Sequence, residues 1–293
     1  MQTDIPLKIT DLIALSTQLL KDKGVEDARL NVELMLSDVM KCDRMKLYLD
    51  FEKPLTTEEL KHYKSFLKRR LNHEPVQYIL GKTYFYGFEF IVNKNVLIPR
   101  PETELLVEKI IEDIKISGKN INRIFEIGAG SGCISISIAK DLKNKKINYE
   151  IFSIDNSDPA LDVAKENLKI NISGEKNLRF YKKSVFEIDK LNRSFDYIIS
   201  NPPYISYIDY NKLTPDIKNF EPESSLTDNG NGLKFYEKIF QIGIDENFKG
   251  KIYCEIGADQ EKPIREILLR NSLKDFTFYK DYAGINRIIE VRK

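Results

Sequence analysis

From about Asn122 onward the chain reads as an open α/β sheet, mostly parallel, of seven strands with an antiparallel last one. A small helical domain and a β-hairpin linker precede it. Three observations carry this. Short apolar runs alternate with stretches of helical period, as repeated βα units require. The first run ends in a glycine-rich turn, Gly128-Ala129-Gly130-Ser131-Gly132. The fourth ends in Asn201-Pro202-Pro203-Tyr204, a tip that drops out of any strand ladder because neither proline has an N–H.

The expected strands are 123–127, 149–154, 178–181, 195–200, 251–256, 276–279 and 287–291, with helices near 132–142, 158–170, 233–247 and 260–270. The last two strands leave no room for a crossover helix, so the final one should be antiparallel. Ahead of the sheet, residues 1–73 are expected as helices: one from Ile9 to Gly24, one near 27–41, and one reaching Leu71 behind a Thr56/Glu59 capping box. The period changes at Glu74-Pro75. Runs at 77–80, 84–86 and 88–92, separated by Gly81 and Gly87, suggest strands, and residues 74–100 are expected as a hairpin linker. Pro101 then suits a helix start, which makes 101–293 the third segment. The connection from Ile205 to Gly232 is long for a compact domain, and such loops are usually functional.

Composition narrows the function. Lys+Arg 46 against Asp+Glu 45 leaves a net charge of +1, which argues against holding nucleic acid by bulk charge. No apolar run approaches the ~20 residues a membrane span needs, and the first six residues carry no signal-peptide pattern. Cys42, Cys133 and Cys254 are isolated, as expected of reduced thiols packed as small apolar groups in a cytoplasmic protein. His62 and His73 both lie in the first quarter of the chain, where nothing supports a His-centred triad or a His-rich metal site. The basic run Lys61, Lys64, Lys68, Arg69 and Arg70 on the third helix reads either as a solvated face or as a landing strip for an acidic or RNA-associated partner.

The chemistry gathers at strand ends. Glycines at alternate positions leave N–H groups exposed and let a ligand approach the main chain, with a helix N-terminus aimed at the same place. The spacing is Gly-x-Gly-x-Gly, not the Gly-x-Gly-x-x-Gly of dinucleotide sites. Asp155 ends the second strand, where an acidic side chain accepts from ribose hydroxyls; alone it would be an ordinary helix cap. A strand order of 3-2-1-4-5 brings both tips to one crevice beside Asn201. By itself the Asn-Pro-Pro tip is equally a Pro-rich turn. Beside a nucleoside site it becomes a stiff frame for a planar group with two N–H donors. Arg100 and Glu102 flank the start of the helix at Pro101, as a surface ion pair or as part of the site.

Together the glycine loop, Asp155 and Asn-Pro-Pro-Tyr resemble the class I S-adenosylmethionine-dependent methyltransferases, Rossmann-like enzymes, that act on planar nitrogens. Glu74-Pro75-Val76-Gln77-Tyr78-Ile79-Leu80-Gly81, Ile98-Pro99-Arg100-Pro101-Glu102-Thr103-Glu104 and Asp281-Tyr282-Ala283-Gly284-Ile285-Asn286-Arg287 resemble the release factor glutamine methyltransferases, the HemK/PrmC family. The resemblance implies S-adenosylmethionine as cofactor. Its methionine part would lie on Gly128 to Gly132, its ribose on Asp155 and its adenine by Ser184 and Val185. The family usually has an acidic residue at the position of Ser184. Asn201, Pro202, Pro203 and Tyr204 would bind the substrate glutamine, with Asn201 also near the cofactor and Arg100 and Glu102 beside the substrate.

The expected mechanism has the Asn201 side-chain oxygen and the Pro202 carbonyl accept the two amide N–H bonds of that glutamine while Tyr204 stacks on its plane. Release factors are the implied partners, docked by the helical domain, with no membrane and no direct DNA contact. The alternatives are a glutamine methyltransferase of a ribosomal protein, an adenine N6-methyltransferase, and a non-enzymatic cofactor-binding regulator.

Overall fold

The structure, a computed structural model, describes residues 7–246 and 248–293. The first six residues and the expected helix end at Asn247 lie outside them. The chain divides into two compact units: one runs up to Gly81 and includes Thr214–Phe220, and the other holds Lys82–Leu213 and Glu221–Lys293.

The first unit is helical, with α1 (Ile9–Asp22), α2 (Ala28–Val39), α3 (Arg44–Leu49), α4 (Thr57–Leu71), α5 (Val76–Leu80) and α10 (Pro215–Phe220). The capping box is present: the Thr56 hydroxyl accepts from Glu59 N–H, and the Glu59 carboxylate accepts from Thr56 N–H at 2.8 Å. Helix α3 was not expected; Asp43 caps it by accepting from Lys46 N–H at 2.9 Å. The run at 77–80 is a correction. It forms helix α5, not a strand, because the Pro75 carbonyl accepts from Tyr78 and Ile79 N–H and Gly81 closes the turn at φ +73°. Val76 and Ile79 thereby bury in the helical core with Met35, Leu36 and Tyr63. Four apolar residues are too few to reveal their period.

The basic run on α4 separates into two kinds of residue. Lys61, Lys64 and Lys68 are exposed. Arg69 grips Glu74 through two bonds of 2.8 and 2.6 Å and reaches the carbonyls of Tyr78 and Ile79. Arg70 is buried, donating to Asn31 Oδ1 at 2.7 Å and to the Glu74 carbonyl at 3.1 Å, with Asp216 3.7 Å away. The two arginines hold the unit together, and the lysines face water.

The second unit opens with the antiparallel hairpin β1 (Lys82–Phe85) and β2 (Phe88–Ile91). Phe85 and Phe90 bury in the core beneath the main sheet. A 3-10 turn, Pro101–Thr103, precedes α6 (Glu104–Ser117). Strands β3 (Asn122–Ile127), β4 (Tyr149–Asp155), β5 (Leu178–Lys182), β6 (Tyr197–Ser200), β7 (Lys251–Glu255), β8 (Asp275–Lys280) and β9 (Asn286–Arg292) form one sheet. Its order is β5-β4-β3-β6-β7-β9-β8, with β9 antiparallel to both neighbours. The expected reversal between the glycine-loop strand and the strand ending at Asn201 is there, because β3 pairs with both β4 and β6 in parallel. Helices α7 (Cys133–Asn144), α8 (Asp158–Asn171), α11 (Lys234–Gly243) and α12 (Glu261–Arg270) complete the crossovers. Two apolar cores lie on the sheet, one centred on Ile198, Phe240 and Ile264, the other on Val107, Ile138 and Ile199.

Within the long connection after Tyr204 the chain forms α9 (Tyr207–Tyr210), α10 and a 3-10 turn at Glu223–Ser225. The three cysteines are free, Cys133 and Cys254 buried and Cys42 half-buried. Among the described residues no helix is long and apolar enough to cross a membrane.

Candidate active site

A cavity of about 310 Å³ opens at the carboxyl ends of β3, β4 and β6. Gly128, Ala129, Gly130, Ser131, Asp155, Ser184 and Val185 line one part of it, and Asn201, Pro202, Pro203 and Arg100 another. Gly132, Glu102 and Tyr204 are not among its lining residues.

The glycine loop differs from expectation in how it uses its N–H groups. Those of Gly128 and Ala129 donate to the Ile154 carbonyl at 2.9 Å, that of Gly130 to Asp155 Oδ2 at 2.9 Å, and that of Gly132 to the Ala129 carbonyl at 2.7 Å. Three of these donors are spent on β4 and the fourth inside the loop. What the glycines supply is conformation and space. Gly128, Gly130 and Gly132 have φ of +86°, +53° and +79°, where L side chains are strained. A Cβ on Gly130 would meet no atom within 4 Å, so a side chain there would stand in the cavity. Gly132 packs against Ile136, Ala164 and Phe180. The N-terminus of α7, with Cys133 and Ile134 on the cavity wall, is the anion-favouring feature.

Asp155 braces the loop, accepting from Gly130 and Ser157 N–H at 2.9 Å each. Burial pushes its carboxyl above the ordinary value, and these N–H groups pull it back. Each oxygen keeps a lone pair for a hydroxyl donor. Ser184 serves as a cap, its hydroxyl accepting from Phe186 N–H at 3.3 Å. Phe186 and Phe235, both lining the cavity, meet edge to face at 5.1 Å. Sequence reading missed these two rings, since only the fold brings the start of α11 to the loop after β5.

Glu126, at the end of β3, is wholly buried. Its Oε2 accepts from the Ser153 hydroxyl, and its Oε1 has no partner. Burial pushes this carboxyl up from 4.5 to about 7. The folded protein therefore keeps this proton between about pH 4.5 and 7, where the unfolded chain has lost it, and stability falls as pH rises through that window. Glu126→Gln should flatten this part of the Tm–pH curve and raise stability at pH 8 by up to about 3 kcal/mol. Thermal melts from pH 5 to 8 check it; an unchanged slope would return Glu126 to an ordinary ionised carboxylate.

The tip after β6 is braced from several sides. Asn201 Nδ2–H donates to Thr103 Oγ1 at 3.1 Å, and the Thr103 hydroxyl donates to Glu255 Oε2 at 2.5 Å. The Tyr204 hydroxyl donates to Glu255 Oε1 at 3.2 Å, and the Tyr204 carbonyl accepts from Gln260 at 2.8 Å. The carbonyls of Asn201 and Pro202, and Asn201 Oδ1, accept no hydrogen bond from the described residues. Arg100 pairs with buried Glu221, whose other oxygen accepts from Ile98 N–H at 3.1 Å. The surface pair of Arg100 with Glu102 does not form, and Glu102 is exposed. Among the described residues no cluster of three or more His, Cys, Asp or Glu side chains is placed to hold a metal ion.

Two family models match the chain, the PrmC N-terminal domain over residues 11–81 and the methyltransferase small domain over 101–217. A release factor glutamine methyltransferase of Thermodesulfovibrio yellowstonii is 38% identical over 88% of this chain and 90% of its own. The chain belongs to the release factor glutamine methyltransferase family. Further members are the Clostridium botulinum protein, 36% identical over 97% of this chain and 99% of its own, and the Fusobacterium nucleatum protein, 37% identical over 97% and 78%. The fold is also that of the hMettl16 catalytic domain solved in complex with the MAT2A 3'UTR hairpin 1, with TM-score 0.55, 13% identity and 80% coverage of both chains. The human METTL16 N-terminal domain gives TM-score 0.51 at 15% identity, covering 83% of this chain and 86% of that one. These two likenesses concern the fold alone. The methyltransferase family sheet is thus the one described above, and its cofactor is S-adenosylmethionine. The residues fit that cofactor. The space that a side chain at Gly130 would fill, the α7 N-terminus and the lone pairs of Asp155 suit an amino-acid part joined to a ribose.

Proposed function

We propose that this protein transfers a methyl group from S-adenosylmethionine to the side-chain amide nitrogen (N5) of the glutamine in the Gly-Gly-Gln motif of peptide-chain release factors, acting in the cytoplasm on translation termination. The observation that carries this reading is the set of unpaired acceptors at the cavity wall: Asn201 Oδ1 and the carbonyls of Asn201 and Pro202. Asn201 is half-buried, so these acceptors face the cavity, and a primary amide brings two N–H bonds to meet them.

A carboxamide nitrogen is a weak nucleophile because its lone pair is delocalised into the carbonyl. Asn201 Oδ1 and the Pro202 carbonyl, taking one N–H each, fix where the nitrogen points and favour its more pyramidal form. Orientation of this kind supplies up to about 7–11 kcal/mol in good cases. Bound on the glycine loop, S-adenosylmethionine supplies an electrophilic methyl carbon. Tyr204, its ring packed on the core of Ile198 and Phe240 and its hydroxyl on Glu255, stiffens the tip from behind the cavity wall. Phe186 and Phe235 give the adenine an aromatic wall, next to Ser184 and Val185.

The direct experiment offers methyl-labelled cofactor to a release factor, the same factor with the Gly-Gly-Gln glutamine replaced, ribosomal proteins, and adenine-containing DNA. Label on the intact release factor alone is the expected result. Label on DNA or on a ribosomal protein would overturn it.

The helical unit is the docking element for the protein substrate, through the lysines that face water. Lys64→Glu with Lys68→Glu should lower kcat/KM for a whole release factor by about tenfold and leave a short Gly-Gly-Gln peptide unaffected. Unchanged kinetics on the whole factor would make those lysines a solvated face. Arg69 and Arg70 are unsuited to this test because both side chains bond within the unit.

A further inference from the structure

Asn201 has two chemically opposite ends, and the proposed reaction needs one of them. The oxygen must meet the substrate amide, because an N–H there would oppose the substrate's own N–H bonds. An asparagine amide is nearly symmetric in shape, so sterics alone do not choose between the two orientations. Something has to set the polarity.

The bonds around Asn201 do so by their direction. Glu255 is buried, and both its carboxylate oxygens accept: Oε2 from the Thr103 hydroxyl and Oε1 from the Tyr204 hydroxyl. An ionised carboxylate has no proton to give, and a hydroxyl has a single proton to donate. With that proton committed to Glu255, Thr103 Oγ1 can only accept from Asn201. It accepts from Nδ2–H at 3.1 Å, which leaves Oδ1 as the free end in the cavity wall. We infer that Thr103 and Glu255 form a polarity relay that holds the Asn201 amide with its oxygen toward the substrate, so that both act as positioning residues for methyl transfer. The inference rests on the proposed glutamine-directed reaction.

The relay is reversible in principle. If Glu255 gains a proton, it can donate to Thr103, whose own proton then turns to Asn201 and attracts Oδ1. The amide flips and presents N–H to the substrate. The surroundings of Glu255 set where this happens. Burial raises its carboxyl to about 7, while the hydroxyls of Thr103 and Tyr204 and the charge of Arg287 on β9 pull it down and Glu102 pushes it up. Arg287 is itself paired with Asp281 at 3.0 Å. Tyr236 on α11 donates to the Glu255 carbonyl at 2.8 Å, and the Cys133 thiol of α7, raised by burial, stays neutral beside it. Burial likewise keeps the Tyr204 hydroxyl protonated, so it remains a donor.

The test uses the full chain, a whole release factor as substrate, and the variants Thr103→Val, Thr103→Ser and Glu255→Gln, each checked for an unchanged melting curve. In the wild type, kcat should rise with pH through about 7. Thr103→Val should lower kcat/KM for the factor about tenfold or more, the worth of one oriented hydrogen bond. Thr103→Ser should restore it. Glu255→Gln should lower kcat at pH 8 and abolish the rise near pH 7. Calorimetry adds a readout independent of turnover: Thr103→Val should weaken binding of a Gly-Gly-Gln peptide and leave cofactor binding unchanged. Wild-type kcat/KM and peptide affinity in Thr103→Val, or an intact acid limb in Glu255→Gln, would overturn the relay. If Glu255→Gln does not fold, the valine and serine pair still decides. Failure of the wild type to methylate the glutamine at any pH would refute the functional reading instead.

Discussion

Asn201→Ala is expected to lower methyl transfer to a release factor by about 10²–10³-fold, the cost of removing one preorganised polar group from a reacting centre. The substitution deletes Oδ1, the acceptor for one substrate N–H, and the Nδ2 that engages Thr103. Cofactor binding should change little, because the glycine loop is braced by Ile154 and Asp155 and makes no hydrogen bond to the Asn201 side chain. Initial rates with a whole release factor, together with calorimetric titration of the cofactor, separate the two effects. Near-normal turnover would sink the proposed geometry. Loss of cofactor binding in parallel would show that Asn201 belongs to the cofactor site first.

Gly232→Ala should be strongly damaging although the residue lies outside the cavity. Gly232 has φ +77°, and a Cβ there would stand 2.1 Å from the Tyr204 carbonyl oxygen, which is backbone and cannot swing aside. The same carbonyl accepts from Gln260, which also reaches the Gly232 carbonyl at 3.2 Å, so one amide side chain ties the two segments together. Asp228 holds the turn from the other side, accepting from the N–H groups of Gly230, Gly232 and Lys234. An alanine must strain its own backbone or push the tip away, at a cost of roughly 3 kcal/mol. Both a lower Tm and a lower kcat are expected, the second because Asn201 and Pro202 lie on the displaced segment. A variant that melts normally and turns over normally would mean that the tip tolerates displacement at Tyr204.

Much of the fold was legible because its signals are local. The seven strands and the antiparallel last one follow from spacing, since the short link before β9 has no room for a helix. The crevice followed from topology once β3 was placed between β4 and β6. The helix at Val76–Leu80 was not legible, because four apolar residues fit either period and burial against α2 and α4 decided it. The use of the glycine loop was half legible. Alternating glycines announce a ligand approaching the main chain, but the destination of each N–H depends on the neighbouring strand, which takes those of Gly128, Ala129 and Gly130.

The residues themselves determine what local chemistry can dictate: a stiff Asn-Pro-Pro tip, a loop that only glycine can trace, an acid at a strand end, a capped basic helix. These follow from φ limits and hydrogen-bonding groups within a few positions. Tertiary structure alone decides which distant groups meet. Arg100 pairs with Glu221 and not with its neighbour Glu102, Arg70 is interred beside Asn31, and Glu255 lies 152 positions from the Thr103 that it orients. The direction of a hydrogen bond depends on which partner has no proton to give. No spacing along the chain encodes that, and it is what points the oxygen of Asn201 at the substrate.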